Sequence, residues 1–301
     1  MRIASHAPSR SAGLRAWVVC LGCGLALFTV MGLGVNAFTV YQPYLLRVHG
    51  FTNAQGSWIT TVRSLFALLS MLTVDRLCRR LGLRNTMVLG MACFVGSYLL
   101  FGFARGFSAY CGGAVLSGLA YGYGGMIPLT LVISRWFPTG RGFALGMAAA
   151  GSGISTIFAP PLITGAIQAL GLSAAFLWEA AAGVLLTLLV LLLVWDSPDC
   201  PELQRAGDSA PGGRGEGLSR PLLGMVLLSA FLTGGPCGPG FSHLTVLYTS
   251  AGFSSGTAAL LMSYLGLVLI AAKVLYGWLS DRLGSRMANS LIFGVFLAGF
   301  A

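Results

Sequence analysis

The stretch SYLGLVLIAAKVLYGWLSDRLGSR, residues Ser263 to Arg286, decides the fold. It opens as an apolar helix, carries one ammonium group, and ends in a charged turn. Of the 18 lysines and arginines in the chain 17 are arginine, so Lys273 is the single lysine, and it lies inside a hydrophobic run. A charge at the centre of such a helix costs roughly 2.5–3.5 kcal/mol on insertion scales, so an ionisable residue there is read as functional. The charged turn Gly277 to Arg286 has a weaker copy in Met71 to Arg80, and Asp75 and Asp281 hold matching places 206 residues apart (281 − 75).

Composition agrees with a membrane chain. Hydrophobic residues make up 56% and charged residues 9%, against about 25% charged in a soluble domain. The net charge of +10 is not a nucleic-acid signature, because the basic residues sit between apolar runs rather than on one soluble face. The seven cysteines are scattered. Cys20 and Cys23 have a CxxC spacing, but they lie in an apolar run with no histidine or second pair beside them, and they read as small packing residues. The arginines Arg2, Arg10 and Arg15 precede a long apolar run without a convincing cleavage site, which reads as a retained first span rather than a signal peptide.

About 20 apolar residues cross the hydrocarbon core. Nine such starts are read, at roughly 16–45, 55–74, 85–104, 108–134, 142–168, 173–195, 221–249, 255–280 and 287–301. The last reaches only about fifteen residues at Ala301, which is expected of a chain cut short. With the N-terminus inside, fourteen basic residues fall on the cytoplasmic side and only Arg47 and Arg105 face outward, while Arg63 and Lys273 lie within spans. That is a strong positive-inside bias. The expected location is the plasma membrane, with many passes and a cytoplasmic N-terminus. Residues 196–220, rich in proline, glycine and mixed charge, read as a flexible cytoplasmic linker. The division is then a six-helix bundle over 1–195, the linker, and a partial second bundle over 221–301. The fold class is an all-α polytopic membrane protein, and a six-plus-six repeat is the layout of one large transporter class.

The pattern G-x-x-x-D-R-x-G-x-R at Gly277 to Arg286 resembles the cytoplasmic loop signature of the major facilitator superfamily. The copy over 71–80 keeps Asp75, Arg76, Arg79 and Arg80, with Met71 and Cys78 where the family has glycine. The run Ser134-Arg135-Trp136-Phe137-Pro138 followed by Arg141-Gly142-Phe143-Ala144-Leu145-Gly146 is similar to the fourth-to-fifth span junction of monocarboxylate transporters and oxalate/formate antiporters. The resemblance implies a transporter working by alternating access, a substrate-facing cation on the eighth span at Lys273, and carriage of a monocarboxylate or dicarboxylate, as an antiporter or otherwise. Leu269 stands where animal monocarboxylate transporters have an aspartate, and the first span carries no lysine, so proton symport by that route is not implied.

Elementary chemistry supplies roles for the same residues. A carboxylate at a helix end can accept from the amides at a neighbouring helix N-terminus, and arginines can reach carbonyls or carboxylates. Asp75, Arg76, Arg79, Arg80, Arg141, Asp281, Arg282 and Arg286 are therefore candidates for a gate on the cytoplasmic side, with plain positive-inside anchoring as the alternative for the arginines. Lys273 lies about 12 Å inward of Asp281, and Arg63 about 18 Å inward of Asp75, at 1.5 Å per residue. Snorkelling is hard from that depth, and Glu179 is the only clear intramembrane carboxylate. Two such cations point to a substrate that brings the anion. Asn36, Tyr41 and His243 are candidate hydrogen-bonding groups for it, as are Gln42, Tyr44, Tyr121 and Tyr123. Each reads equally as an interhelical bond or an interfacial aromatic.

Glycine and alanine crowd the fifth span, which suits close helix packing. Residues 234–240 carry four glycines and two prolines and read as a broken segment lining a cavity. Pro128 and the Pro160–Pro161 pair are further candidate kinks. The reading is thus a carrier of a small organic anion, with the bilayer and that anion as its partners, no cofactor, and a monomer as the expected state. The rivals are an exporter of drugs or other neutral or amphipathic solutes, and a non-transporting fragment. No Gly-Lys-Ser/Thr phosphate loop is present, so ATP drive is not expected. No catalytic triad or HExxH suggests an enzyme.

Overall fold

In the computed structural model the described residues are 10–137, 139–195 and 220–300, and they are helical throughout apart from short turns. Among the described residues nine helical passages follow one another. The first joins an α-helix Arg10–Leu27, a π-helical stretch Phe28–Ala37 and an α-helix Phe38–His49. The second is Asn53–Leu81 and the third Leu83–Phe103. The fourth divides into Phe107–Gly124 and Met126–Trp136, and the fifth is Arg141–Leu170. Leu172–Leu193, Arg220–Ser250, Ser255–Leu283 and Ser285–Phe300 are the sixth to ninth. Among the described residues, seven passages are long and apolar enough to cross a membrane. Leucines such as Leu68, Leu72, Leu185 and Leu192 stand exposed on the outer faces of the second and sixth helices, as a lipid-facing surface requires.

The linker expected over 196–220 falls, except for Arg220, outside the described residues, and Arg220 already begins the seventh helix. That helix runs without a break through 234–240, where a broken segment was expected. Membrane helices accommodate proline when neighbours satisfy the freed backbone groups. The fifth helix shows how. It continues through Pro160 and Pro161. Pro161 has no N–H to give to the carbonyl four residues earlier, on Ile157. The Ser263 hydroxyl of the eighth helix donates to that carbonyl instead, at 2.6 Å. In the fourth passage the interruption lies at Gly125, and Pro128 occupies the first turn of the new helix, where its missing N–H costs nothing.

The charged turns are mostly helix. The second helix continues to Leu81 and turns at Gly82 (φ 84°), whereas the eighth ends at Leu283 and turns at Gly284 (φ 78°). Glycine is what allows these left-handed φ values. The turn therefore comes seven residues after Asp75 but three after Asp281. Cys78 stands where the second motif has Gly284, and a side chain at positive φ is strained. The second helix accordingly runs one further turn, about 6 Å, to the next glycine.

The first, third, fourth and sixth helices enclose an aromatic core. Tyr41 stacks on Phe176 with ring centroids 4.1 Å apart, and Tyr98, Phe101 and Tyr110 close around them. The fifth and eighth helices lie together along most of their length, from the Ser263 bond to Ile157 at one end to Asp281 at the other. Glycine makes this possible: a Cβ on Gly146 would lie 2.6 Å from the Lys273 carbonyl, and one on Gly153 2.6 Å from Ile270.

Candidate functional site

A cavity of about 380 Å³ opens where four helices meet. Met31 comes from the π-helical stretch of the first, Met126 from the start of the second half of the fourth, and Leu145 and Ala149 from the fifth. The eighth helix contributes Lys273, Tyr276 and Ser280. Lys273 is half-buried, and its ammonium donates to Ser152 Oγ (2.5 Å) and to the Ala149 carbonyl (3.3 Å) on the fifth helix. An ammonium carries three N–H donors, so one remains beyond these two bonds. Among the described residues the only ion pair is Arg79 with Asp75, so Lys273 meets neutral acceptors alone.

Close approach of the two helices positions this ammonium. With no side chain on Gly142 or Gly146, the eighth-helix backbone at Lys273 and Gly277 rests directly on the fifth. The lysine stem then needs to span only a short gap to Ser152. That hydroxyl, in the small-residue run Ala148 to Gly153, is the partner that sequence reading passed over. The signal was a serine at the same depth as the lysine within a run otherwise made of glycine and alanine.

Arg63 is placed elsewhere. It is 7% exposed and does not line the cavity. Its Nη1 donates to the Gly34 carbonyl at 3.5 Å, and its guanidinium lies 5.2 Å from the centroid of Phe38. The geometry is a cation over an aromatic face, beside a carbonyl of the π-helical stretch. The two intramembrane cations thus lie in separate environments, Arg63 beside that stretch and Lys273 on the cavity and the fifth helix.

The three other candidate binding residues each have a protein partner. Asn36 donates to Thr156 Oγ1 (2.9 Å), tying the first helix to the fifth. Tyr41, fully buried, donates to Glu179 Oε2 (2.6 Å). The other carboxyl oxygen of Glu179 is buried and has no hydrogen-bond partner. His243 Nδ1 lies 3.3 Å from Gln42 Nε2, and two residues on Thr245 Oγ1 donates to Thr39 Oγ1 at 3.3 Å. These two contacts join the seventh helix to the first at the end of the bundle away from Asp281.

At the opposite end the two aspartates differ. Asp281 Oδ1 accepts from the Gly142 amide (2.9 Å) and Oδ2 from the Phe143 amide (2.7 Å). The carboxylate caps the fifth helix, whose own N-cap is Gly140 at φ 69° and offers no side chain. Negative charge at a helix N-terminus is favoured by the unsatisfied amides and by the macrodipole. Asp75 instead pairs with Arg79 one turn on, at 2.5 Å, with both side chains about two-thirds exposed. That partner is reachable only because the second helix continues past Cys78. Arg282 lies over the Trp278 ring at 4.5 Å, and Arg141 Nε donates to the Phe137 carbonyl at 3.0 Å. Arg76, Arg80 and Arg286 are exposed and make no ion pair among the described residues.

Comparison with known proteins follows the same lines. A family model described as Major Facilitator Superfamily matches residues 23–301. The chain is 24% identical over 296 residues to the MFS-type transporter pynF of Aspergillus niger, covering 94% of this chain and 65% of that protein. It is 28% identical over 164 residues to the oxalate:formate antiporter of Oxalobacter formigenes, covering 54% and 39%. It is 24% identical over 306 residues to monocarboxylate transporter 12 of Rattus norvegicus, covering 88% and 60%. The chain spans about two thirds or less of the length of these curated relatives. Its fold is similar to the crystal structure of a D-xylose-proton symporter, with a TM-score of 0.65 at 15% identity, over 89% of this chain and 68% of that one.

Proposed function

We propose, from the premise that this chain belongs to the Major Facilitator Superfamily, that the whole protein carries a small organic anion across a membrane by alternating access. One observation carries the reading: the Lys273 ammonium borders the cavity and is held by two neutral acceptors, with no carboxylate paired to it among the described residues. Taking an ammonium out of water costs several kcal/mol unless an anion compensates it. A substrate carboxylate supplies that anion, through a charge-assisted bond to the remaining N–H. The likeness to a monocarboxylate transporter and an oxalate:formate antiporter supports the same class of cargo.

The aspartate at the foot of the eighth helix supports the movement. Asp281 holds the eighth helix to the fifth only while their ends are in contact. We assign it as the cytoplasmic gate: bonded in one state, hydrated in the other. The His243–Gln42 and Thr245–Thr39 contacts serve as the counterpart at the far end. The basic residues flanking Asp75 and Asp281 support, by the positive-inside rule, a cytoplasmic position for that end of the bundle and for the N-terminus, and the plasma membrane is the proposed site of action. Arg63 acts as a second cation bordering the first helix, without lining the cavity.

Uptake of labelled carboxylates into proteoliposomes of the full-length protein tests the reading. Wild type and Lys273→Arg should take up acid, and Lys273→Gln should lose most of it while still inserting and folding. Equal uptake by Lys273→Gln would make the lysine structural and shift the anion site to Arg63. Uptake of neutral solutes alone would favour an exporter.

A further inference from the structure

From the size and walls of the cavity, we infer that the cargo is an amphipathic monocarboxylate with an apolar body of several carbons, rather than a dicarboxylate or a one-to-three-carbon acid. The inference rests on the anion reading above and narrows it. The cavity is partly open, and its 380 Å³ is many times the ~30 Å³ a water occupies in the liquid. Formate or oxalate would fill a small part of it and leave water against methionine and leucine. Sites of this size usually bury most of an apolar ligand and fix it with a few polar groups.

Among the described residues the cavity presents a single cation, Lys273. The Tyr276 hydroxyl is already committed, donating to Asn289 Oδ1 at 2.7 Å. Only Ser280 adds a further side-chain hydroxyl to the lining. Arg63, the other buried cation, lies outside. A second carboxylate would lie against Met31, Met126 and Leu145 with no counter-charge among the described residues, and an unpaired charge against apolar side chains is disfavoured. A carboxylate held by Lys273 with a hydrocarbon body on those three side chains satisfies every surface. Met31 and Met126 are unbranched and adaptable, so the shape of that body is loosely specified.

The test is a chain-length series in competition with a labelled carboxylate, using the full-length protein in proteoliposomes. Straight-chain acids from two to twelve carbons, phenylpropionate, oxalate and formate are the competitors. Burial of one methylene is worth roughly fourfold in affinity. Competition should strengthen by about that factor per carbon and then level off when the cavity is full. Leu145→Trp should move the plateau to shorter acids, which simple partitioning into lipid would not do. Competition by oxalate or formate at least as strong as by octanoate, in wild type whose uptake Lys273→Gln abolishes, overturns the inference and leaves the anion reading intact. A wild-type plateau unmoved by Leu145→Trp also overturns it. Absence of uptake of any acid by folded wild type overturns both.

Discussion

Removal of the Asp281 carboxylate should loosen the contact between the fifth and eighth helices by an amount that can be worked out beforehand. Two amide donors, on Gly142 and Phe143, lose their acceptor in Asp281→Ala. An N-cap side chain is typically worth about 1 kcal/mol, and a charge at a helix N-terminus roughly 0.3–1 kcal/mol more at exposed positions. Asp281 is exposed, so the larger values for buried charged bonds do not apply. The sum is about 1.3–2 kcal/mol, a shift of roughly 9- to 30-fold in the ratio of joined to parted states. Asp281→Asn keeps a carbonyl acceptor and loses the charge, so its shift should be several-fold. Spin labels at the exposed positions Thr139 and Leu283, in a background with the native cysteines replaced, would report the separation by pulsed electron paramagnetic resonance. The parted population should rise in the order wild type, Asn, Ala. Superimposable distance distributions in all three proteins would refute the latch.

Other consequences are open to measurement. Tyr41→Phe leaves Glu179 with neither oxygen bonded and should cost about 1–3 kcal/mol, read as a fall in melting temperature, and the double variant with Glu179→Leu should recover much of it. Gly146→Leu places side-chain atoms where the Lys273 carbonyl lies and should cost about 1–3 kcal/mol by overpacking. Gly165→Leu on the same helix, where a Cβ meets nothing within 4 Å, should be neutral in the same melting assay. Ser263→Ala exposes the carbonyl freed by Pro161 and should cost on the order of 0.6–1.7 kcal/mol. In Cys78→Gly the second helix gains an earlier stop, so amide exchange at Arg79 to Leu81 should quicken, while unchanged protection there would show that Cys78 does not set the helix length.

The helices were legible because each is an apolar run of membrane-crossing length bounded by basic residues or glycine. The nine starts read from sequence fall within a few residues of the helical passages. The second helix is the exception, since the charged motif over 71–80 looked like a turn. A turn there needs a residue that tolerates positive φ, and Gly82 is the first to offer it. The π-helical stretch was not legible: Phe28 to Ala37 has the composition of any apolar helix. Lys273 could be singled out because its charge is costly in that setting. Its depth could be counted along the helix, and so could that of Arg63. Counting along a helix gives height but not direction around the bundle. That is why depth alone does not tell that Lys273 lines the cavity and Arg63 does not. Tyr41 and Asn36 were read as possible ligands for the same reason, and their partners Glu179 and Thr156 lie more than a hundred residues away in the chain.

The proposed contact between a substrate carboxylate and the Lys273 ammonium can be measured directly. Because Lys273 is the one lysine in these 301 residues, its ¹⁵Nζ can be labelled and its dipolar coupling to a ¹³C-carboxylate ligand measured by solid-state NMR on the reconstituted full-length protein. Lys273→Arg serves to assign the signal. A charge-assisted N–H···O bond of about 2.7–2.9 Å predicts strong dephasing of the Lys273 signal that unlabelled competitor abolishes. A bound carboxylate, shown by saturable binding in the same sample, that leaves the Lys273 signal undephased would contradict the account.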